Sequence, residues 1–135
     1  MAALTASTKQ NPLNPIKFNA GGAIPANSAV KLSAEGTVVV TSAITDNVIG
    51  FCDRTAASGD AVQIDTANGV VTKAIAGGSI TAGDQLMPKG SATNGTVVLA
   101  AGATAKSCAI ALQDAASGET FMVLTRFGVN IPANS

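Results

Sequence analysis

The stretch Ala20-Gly21-Gly22-Ala23-Ile24-Pro25-Ala26 returns 56 residues later as Ala76-Gly77-Gly78-Ser79-Ile80-Thr81-Ala82. Two further blocks follow in the same order at a spacing of 59: Gly36-Thr37-Val38-Val39-Val40 returns as Gly95-Thr96-Val97-Val98-Leu99, and Ala56-Ala57-Ser58-Gly59-Asp60 as Ala115-Ala116-Ser117-Gly118-Glu119. Short matches are cheap in a chain rich in Ala and Gly, but three in order are not, and self-similarity of this kind has to be read before any secondary structure. The sequence predicts a single domain over residues 20–135 built from two duplicated halves, about 20–71 and 76–130. The second copy carries three extra residues near Met87 to Thr93.

Each half reads as strand, turn, strand. Val38-Val39-Val40, Val48-Ile49-Gly50-Phe51, Ala61-Val62-Gln63-Ile64 and Val70-Val71 are β-branched or alternating runs, matched later by Val97-Val98-Leu99, Cys108-Ala109-Ile110-Ala111-Leu112 and Thr120-Phe121-Met122-Val123-Leu124. Between them, Glu35-Gly36, Ser58-Gly59-Asp60, Asn68-Gly69, Asn94-Gly95 and Ser117-Gly118-Glu119 supply residues that tolerate the positive φ of tight turns. Asn68-Gly69 is the clearest hairpin signal. The 14 glycines interrupt every plausible helix window, so the Ala content does not mean helix and at most one or two helical turns are expected. The fold class is all-β: a small barrel or β-clip-like domain made of two halves.

Residues 1–19 stand outside the repeat. Asn11-Pro12-Leu13-Asn14-Pro15 forbids continuous strand pairing and favours an extended N-terminal arm. Leu4, Leu13, Ile16 and Phe18 give that arm something to bury, so they are the expected contacts with a neighbouring subunit or another partner, with Phe18 as the anchor nearest the domain.

Composition narrows the chemistry. The 135 residues are 47% hydrophobic and 12% charged, with 8 basic residues, scattered singly, balanced by 8 acidic ones. No basic patch is present to displace counterions from nucleic acid or to dock on anionic lipid, so neither partner is expected. No run approaches the roughly 18 apolar residues of a membrane-spanning helix, and Met1 to Lys9 has no signal-peptide pattern, which sets the expectation of cytoplasmic synthesis. With four Phe and no Trp or Tyr, the core must be built from Val, Ile and Leu, and apolar contact between subunits is the natural supplement to its stability.

The chain has no His, which removes the commonest general base and metal ligand. Cys52 and Cys108 are too few for a zinc site; a bridge between them and two buried thiols both remain open. Ala20-Gly21-Gly22 and Ala76-Gly77-Gly78 lack the Gly-Lys-Ser/Thr of a P-loop and read as turns before a strand. Asp60 and Glu119 could be imagined as an acid and base, but each follows Ser-Gly in a matching turn, where a carboxylate caps backbone amides. Ser58 and Ser117 have no base to activate them. Asp46, Asp53, Asp65 and Asp84 do not form the alternating Asp loop of a calcium site. No catalytic residue, metal or cofactor is expected, and the chain does not read as an enzyme.

The duplicated unit, Ala-Gly-Gly-x-Ile-x-Ala, then Gly-Thr-Val-Val, then Ile49-Gly50-Phe51-Cys52 or Ala109-Ile110-Ala111-Leu112, then Gly59-Asp60-Ala61-Val62-Gln63-Ile64 or Gly118-Glu119-Thr120-Phe121-Met122-Val123, resembles the capsid decoration, or cement, proteins of tailed bacteriophages. The likeness runs from about Phe18 to Asn130, and Ala109 stands where the first copy has Gly50. It implies a non-enzymatic protein that binds the major capsid protein on the outside of the head, usually as a homo-trimer, and reinforces the shell after synthesis in the host cytoplasm. The Ile24-Pro25-Ala26-Asn27 and Ile80-Thr81-Ala82-Gly83-Asp84 stretches are also similar to small β-clip modules. A sugar- or host-surface-binding β module of a virion is the alternative function, although such sites usually present the Trp or Tyr that this chain lacks.

Overall fold

The computed structural model describes residues 16–89, 95–100 and 106–130, and among them every regular element is a strand. In the first half these are β1 (Ile16–Ala20), β2 (Ala29–Ala34), β3 (Thr37–Val40), β4 (Gly50–Cys52) and β5 (Ala61–Asp65). The second half holds β6 (Val71–Ile75), β7 (Gln85–Pro88), β8 (Val97–Leu99), β9 (Lys106–Ala111) and β10 (Thr120–Asn130). No helical turn is found among the described residues, within the expected limit of one or two.

β1 to β5 close into a barrel in the order β1-β3-β2-β4-β5, with β1 antiparallel to β5 and parallel to β3. Closure leaves the small sheet without a free edge. The second sheet runs β6-β10-β9-β7-β8, and a parallel bridge between Ala76 and Val97 brings its two ends together. Strand for strand this is the connectivity of the first half. Ile24 and Ala56 exchange backbone hydrogen bonds of 2.9 Å, as do Ile80 and Ala115. Ala20 N–H donates to Asp60 O at 2.8 Å, and Ala76 N–H to Glu119 O at 2.8 Å. Val30 pairs with Gly50 as Leu86 pairs with Ala109, so Ala at that bend leaves the pairing intact. The three extra residues fall between Pro88 and Gly95, in the connection from β7 to β8.

Two boundaries differ from the sequence reading. Ile16–Asn19, counted with the arm, belong to β1, and Val71–Ile75 open the second half. The Ala-Gly-Gly blocks are therefore turns that follow a strand. The repeat was visible where turn chemistry restricts the residue type and invisible in the strands before it, Ile-Lys-Phe-Asn-Ala and Val-Thr-Lys-Ala-Ile, where only alternation is required. The second correction concerns Asn68-Gly69. Gly69 has the positive φ of +78° that the turn needs, but β5 is already paired on both sides by β1 and β4, so no hairpin forms. The turn instead joins the halves: Gly69 N–H donates to Thr125 O at 2.8 Å, Phe127 N–H to Asn68 Oδ1 at 2.7 Å, and the Thr125 hydroxyl to Ala67 O at 2.7 Å.

The first barrel is filled by Phe18, Ile24, Val30, Val38, Cys52, Val62 and Ile64, an aliphatic core as the composition requires. The second core extends across the seam. It takes in Ala29, Val48 and Phe51 from the first half together with Leu86, Val97, Phe121 and Val123. The rings of Phe51 and Phe127 meet at 6.1 Å, tilted by 35°. Gly95, at φ +67°, passes so close to the first half that its carbonyl accepts from Ala29 N–H at 2.8 Å.

Candidate interaction surface

The residues singled out as arm contacts separate. Leu4 and Leu13 lie outside the described residues. Ile16 opens β1 opposite Ile64. Phe18 is buried in the core of its own half, opposite Val62. Alternation along β1 decides this, since Phe18 and Ala20 point inward while Lys17 and Asn19 stay at the surface.

The carboxylates cap turns, as their sequence positions suggest. Asp60 Oδ2 accepts from Ala57 N–H at 2.9 Å and Glu119 Oε1 from Ala116 N–H at 2.7 Å, each within its own half. Asp84 Oδ2 accepts from Thr81 N–H at 2.9 Å, and Asp114 Oδ1 from Ala82 N–H at 2.8 Å. Among the described residues no three His, Cys, Asp or Glu side chains are gathered to hold a metal. A groove of about 560 Å³ runs past Lys31, Leu32, Thr45 and Asp46, but its charges are consumed locally. Lys31 Nζ lies 3.0 Å from Asp46 Oδ1, and Asp46 Oδ2 accepts from the N–H groups of Ser42 and Ala43 at 2.7 and 2.9 Å. Burial alone would raise the Asp46 carboxyl; those backbone hydrogen bonds and the Lys31 ammonium outweigh it and hold the group below its usual range.

Both cysteines are free and buried. Burial pushes the Cys108 thiol up to about 12. It also raises Cys52, whose Sγ donates to Arg54 O at 3.0 Å. Neither thiol is poised as a nucleophile.

What stands out is the outward face of β6, β10 and β9. Directly paired residues of an antiparallel ladder share a face, so the register sets Val71, Leu124 and Ile110 in one row and Lys73 and Met122 in the next. Leu112 extends that second row, its N–H donating to Met122 O at 3.0 Å. Val71 is 55% exposed, Leu112 42% and Met122 39%. At one margin a groove of about 450 Å³ joins Val71, Lys73 and Met122 to Asn27 and Asp53 of the first half. None of these apolar residues was singled out from sequence. Laying the second copy on the first at the repeat spacings would have marked part of this face: Met122 falls on Gln63, Leu112 on Asp53 and Ile75 on Asn19.

No family model and no curated protein matches the chain. A solved structure does: the N base of the head fiber protein gp8.5 of bacteriophage phi29 superposes with a TM-score of 0.67 at 18% sequence identity, over 82% of this chain and 92% of that one. At that identity the likeness establishes a shared fold.

Proposed function

We propose that this chain is a structural protein of a tailed-phage head, of the decoration or cement kind, built as two copies of one β unit and carried on the outer surface of the shell. The observation that carries this reading is the fold shared with a head fiber base over most of both chains. The repeat blocks that resemble decoration proteins support it independently, because that likeness lies in the sequence and not in the fold. In this reading the chain performs no catalysis. Residues 1–15, with Leu4 and Leu13, run extended along the major capsid protein or an adjacent subunit, where main-chain hydrogen bonds supply affinity and Pro12 and Pro15 reduce the entropy lost on ordering. Many weakly bound copies then hold the lattice by avidity. The working assembly is a homo-trimer.

Purified chain mixed with heads that lack it provides the test. The full chain is expected to sediment with the heads and to raise the temperature at which they release DNA. A chain beginning at Ile16 behind an initiator Met keeps β1 intact, and it is expected to fold normally yet occupy far fewer sites. Failure of the full chain to sediment with heads overturns the capsid reading, and equal occupancy by the shortened chain overturns the role of the arm.

A further inference from the structure

We propose that the outward face of β6, β10 and β9 is where one copy of this chain binds a second copy. This deepens the reading of the protein as an oligomer and names the surface responsible. The two halves carry the same strands in the same register, so each outward position in the second half has a counterpart on the first. On the first half the counterparts of Met122, Leu112 and Ile75 are Gln63, Asp53 and Asn19, ordinary residues for a solvated sheet. At these three positions the same ladder thus carries polar residues in one half and apolar ones in the other, so their apolar character is not a demand of the fold. Exposed apolar side chains gathered on one sheet face, here Val71, Met122 and Leu112 around Lys73, mark a contact surface.

Ile110 of β9 is the counterpart of Phe51 of β4, each standing opposite the matching strand, Leu124 on β10 and Asp65 on β5. Phe51 is fully buried because the second half lies over it. Ile110 is only half-buried, and among the described residues nothing equivalent covers it. The fold therefore already uses this site once to receive another unit of its own kind. The open site also adjoins that existing contact, because the 450 Å³ groove at its margin is lined from both halves. A second copy continues an interface whose shape is already built. If the patch meets a different surface on the next copy the contact is heterologous and closes into a ring, as a trimer requires; patch against patch gives a two-fold dimer.

The test exchanges the patch for residues the same backbone already carries in the first half, so that folding is preserved: Ile75→Asn, Leu112→Asp and Met122→Gln together. Sedimentation velocity from 1 to 100 µM, with thermal unfolding followed by circular dichroism, reads the outcome. The wild-type chain is expected to be oligomeric, and the triple variant to be a folded monomer, with a dissociation constant raised about 100-fold or more. A triple variant that assembles like the wild type overturns the proposal while leaving oligomerisation standing. A wild-type chain that is monomeric at 100 µM overturns it too, and if that monomer still sediments with heads, the capsid reading survives alone. If removal of residues 1–15 abolishes assembly and the triple variant does not, the arm is the self-association element and the proposal falls. Should the triple variant unfold, Met122→Gln alone, at a residue already 39% exposed, replaces it and is judged by the same criteria.

Discussion

Replacing Gly95 by Ala should loosen the joint between the halves, and Gly59→Ala provides the control that isolates the reason. Both glycines have positive φ, +67° at Gly95 and +90° at Gly59. An Ala at either position therefore bears the left-handed penalty of about 1–2 kcal/mol, partly offset by the smaller entropy of its unfolded chain. Their surroundings differ. A Cβ at Gly59 meets nothing within 4 Å, whereas one at Gly95 would lie 2.6 Å from Ser28 Cβ and 2.8 Å from Ala29 O. Ala29 O is backbone, and the hydrogen bond from Ala29 N–H to Gly95 O holds the same contact closed, so relief requires the halves to move apart. Overpacking of this kind costs about 1–3 kcal/mol. Gly95→Ala should accordingly be less stable than Gly59→Ala by about 2 kcal/mol, a difference of about 1 M in urea midpoint for a slope near 2 kcal/mol/M. The chain has no Trp or Tyr, so far-UV circular dichroism is the appropriate probe. Midpoints within about 0.2 M of each other would show that the seam yields freely at Gly95 and would refute its description as a tight joint.

Phe51→Ala removes a fully buried ring from the shared core and should cost about 3–5 kcal/mol by chemical denaturation; a cost below about 1 kcal/mol would mean the seam repacks. The native protein should give no reaction with an aromatic disulfide reagent at pH 8 and two thiols in denaturant, because Cys52 and Cys108 are both buried and unpaired. With the Cys108 thiol raised to about 12, its contribution to stability is complete below the unfolded thiol value near 8.5 and is lost as pH rises towards 12, a decline that Cys108→Ala should reduce. Asp46 has the opposite sign: its carboxyl is depressed in the fold, so its contribution is present above the unfolded value near 3.9 and is lost as pH falls through the folded one. Acid titration should show that loss in the wild type, and Asp46→Asn should remove it.

The sequence was legible wherever a residue type answers to a backbone demand. Gly36, Gly59 and Gly118 all take the positive φ that their turns require, and Asp60 and Glu119 cap as their places after Ser-Gly suggest. Asn27, at φ +67°, takes the place that Gly83 holds in the second half, a substitution consistent with turn chemistry. Strand edges were less legible, because a pleated strand asks only for alternation. Ile16–Asn19 were counted with the arm for that reason, and Asn68-Gly69 was misread because turn chemistry fixes a bend in the chain while the partners of the flanking strands are chosen by the whole barrel. The apolar face escaped notice because its residues are dispersed along the chain, at Ile75 in β6, Met122 in β10 and Leu112 just after β9, and are brought to one face only once the register is known.

The β1–β5 ladder has a mechanical consequence. The chain enters β1 at Ile16 and leaves β5 just beyond Ile64, and these two residues are partners at the same end of the ladder. A pull on the arm, resisted by the second half, therefore loads that end alone, opening Ile16–Ile64 first, then Lys17–Gln63, then Phe18–Val62, as a zip opens. β3 grips β1 only at Asn19 and Ala20, at the far end. In this direction the bonds fail one after another instead of sharing the load, so tension applied through the preceding residues would unpeel β1 by stages and dissipate the strain before the rest of the barrel gave way.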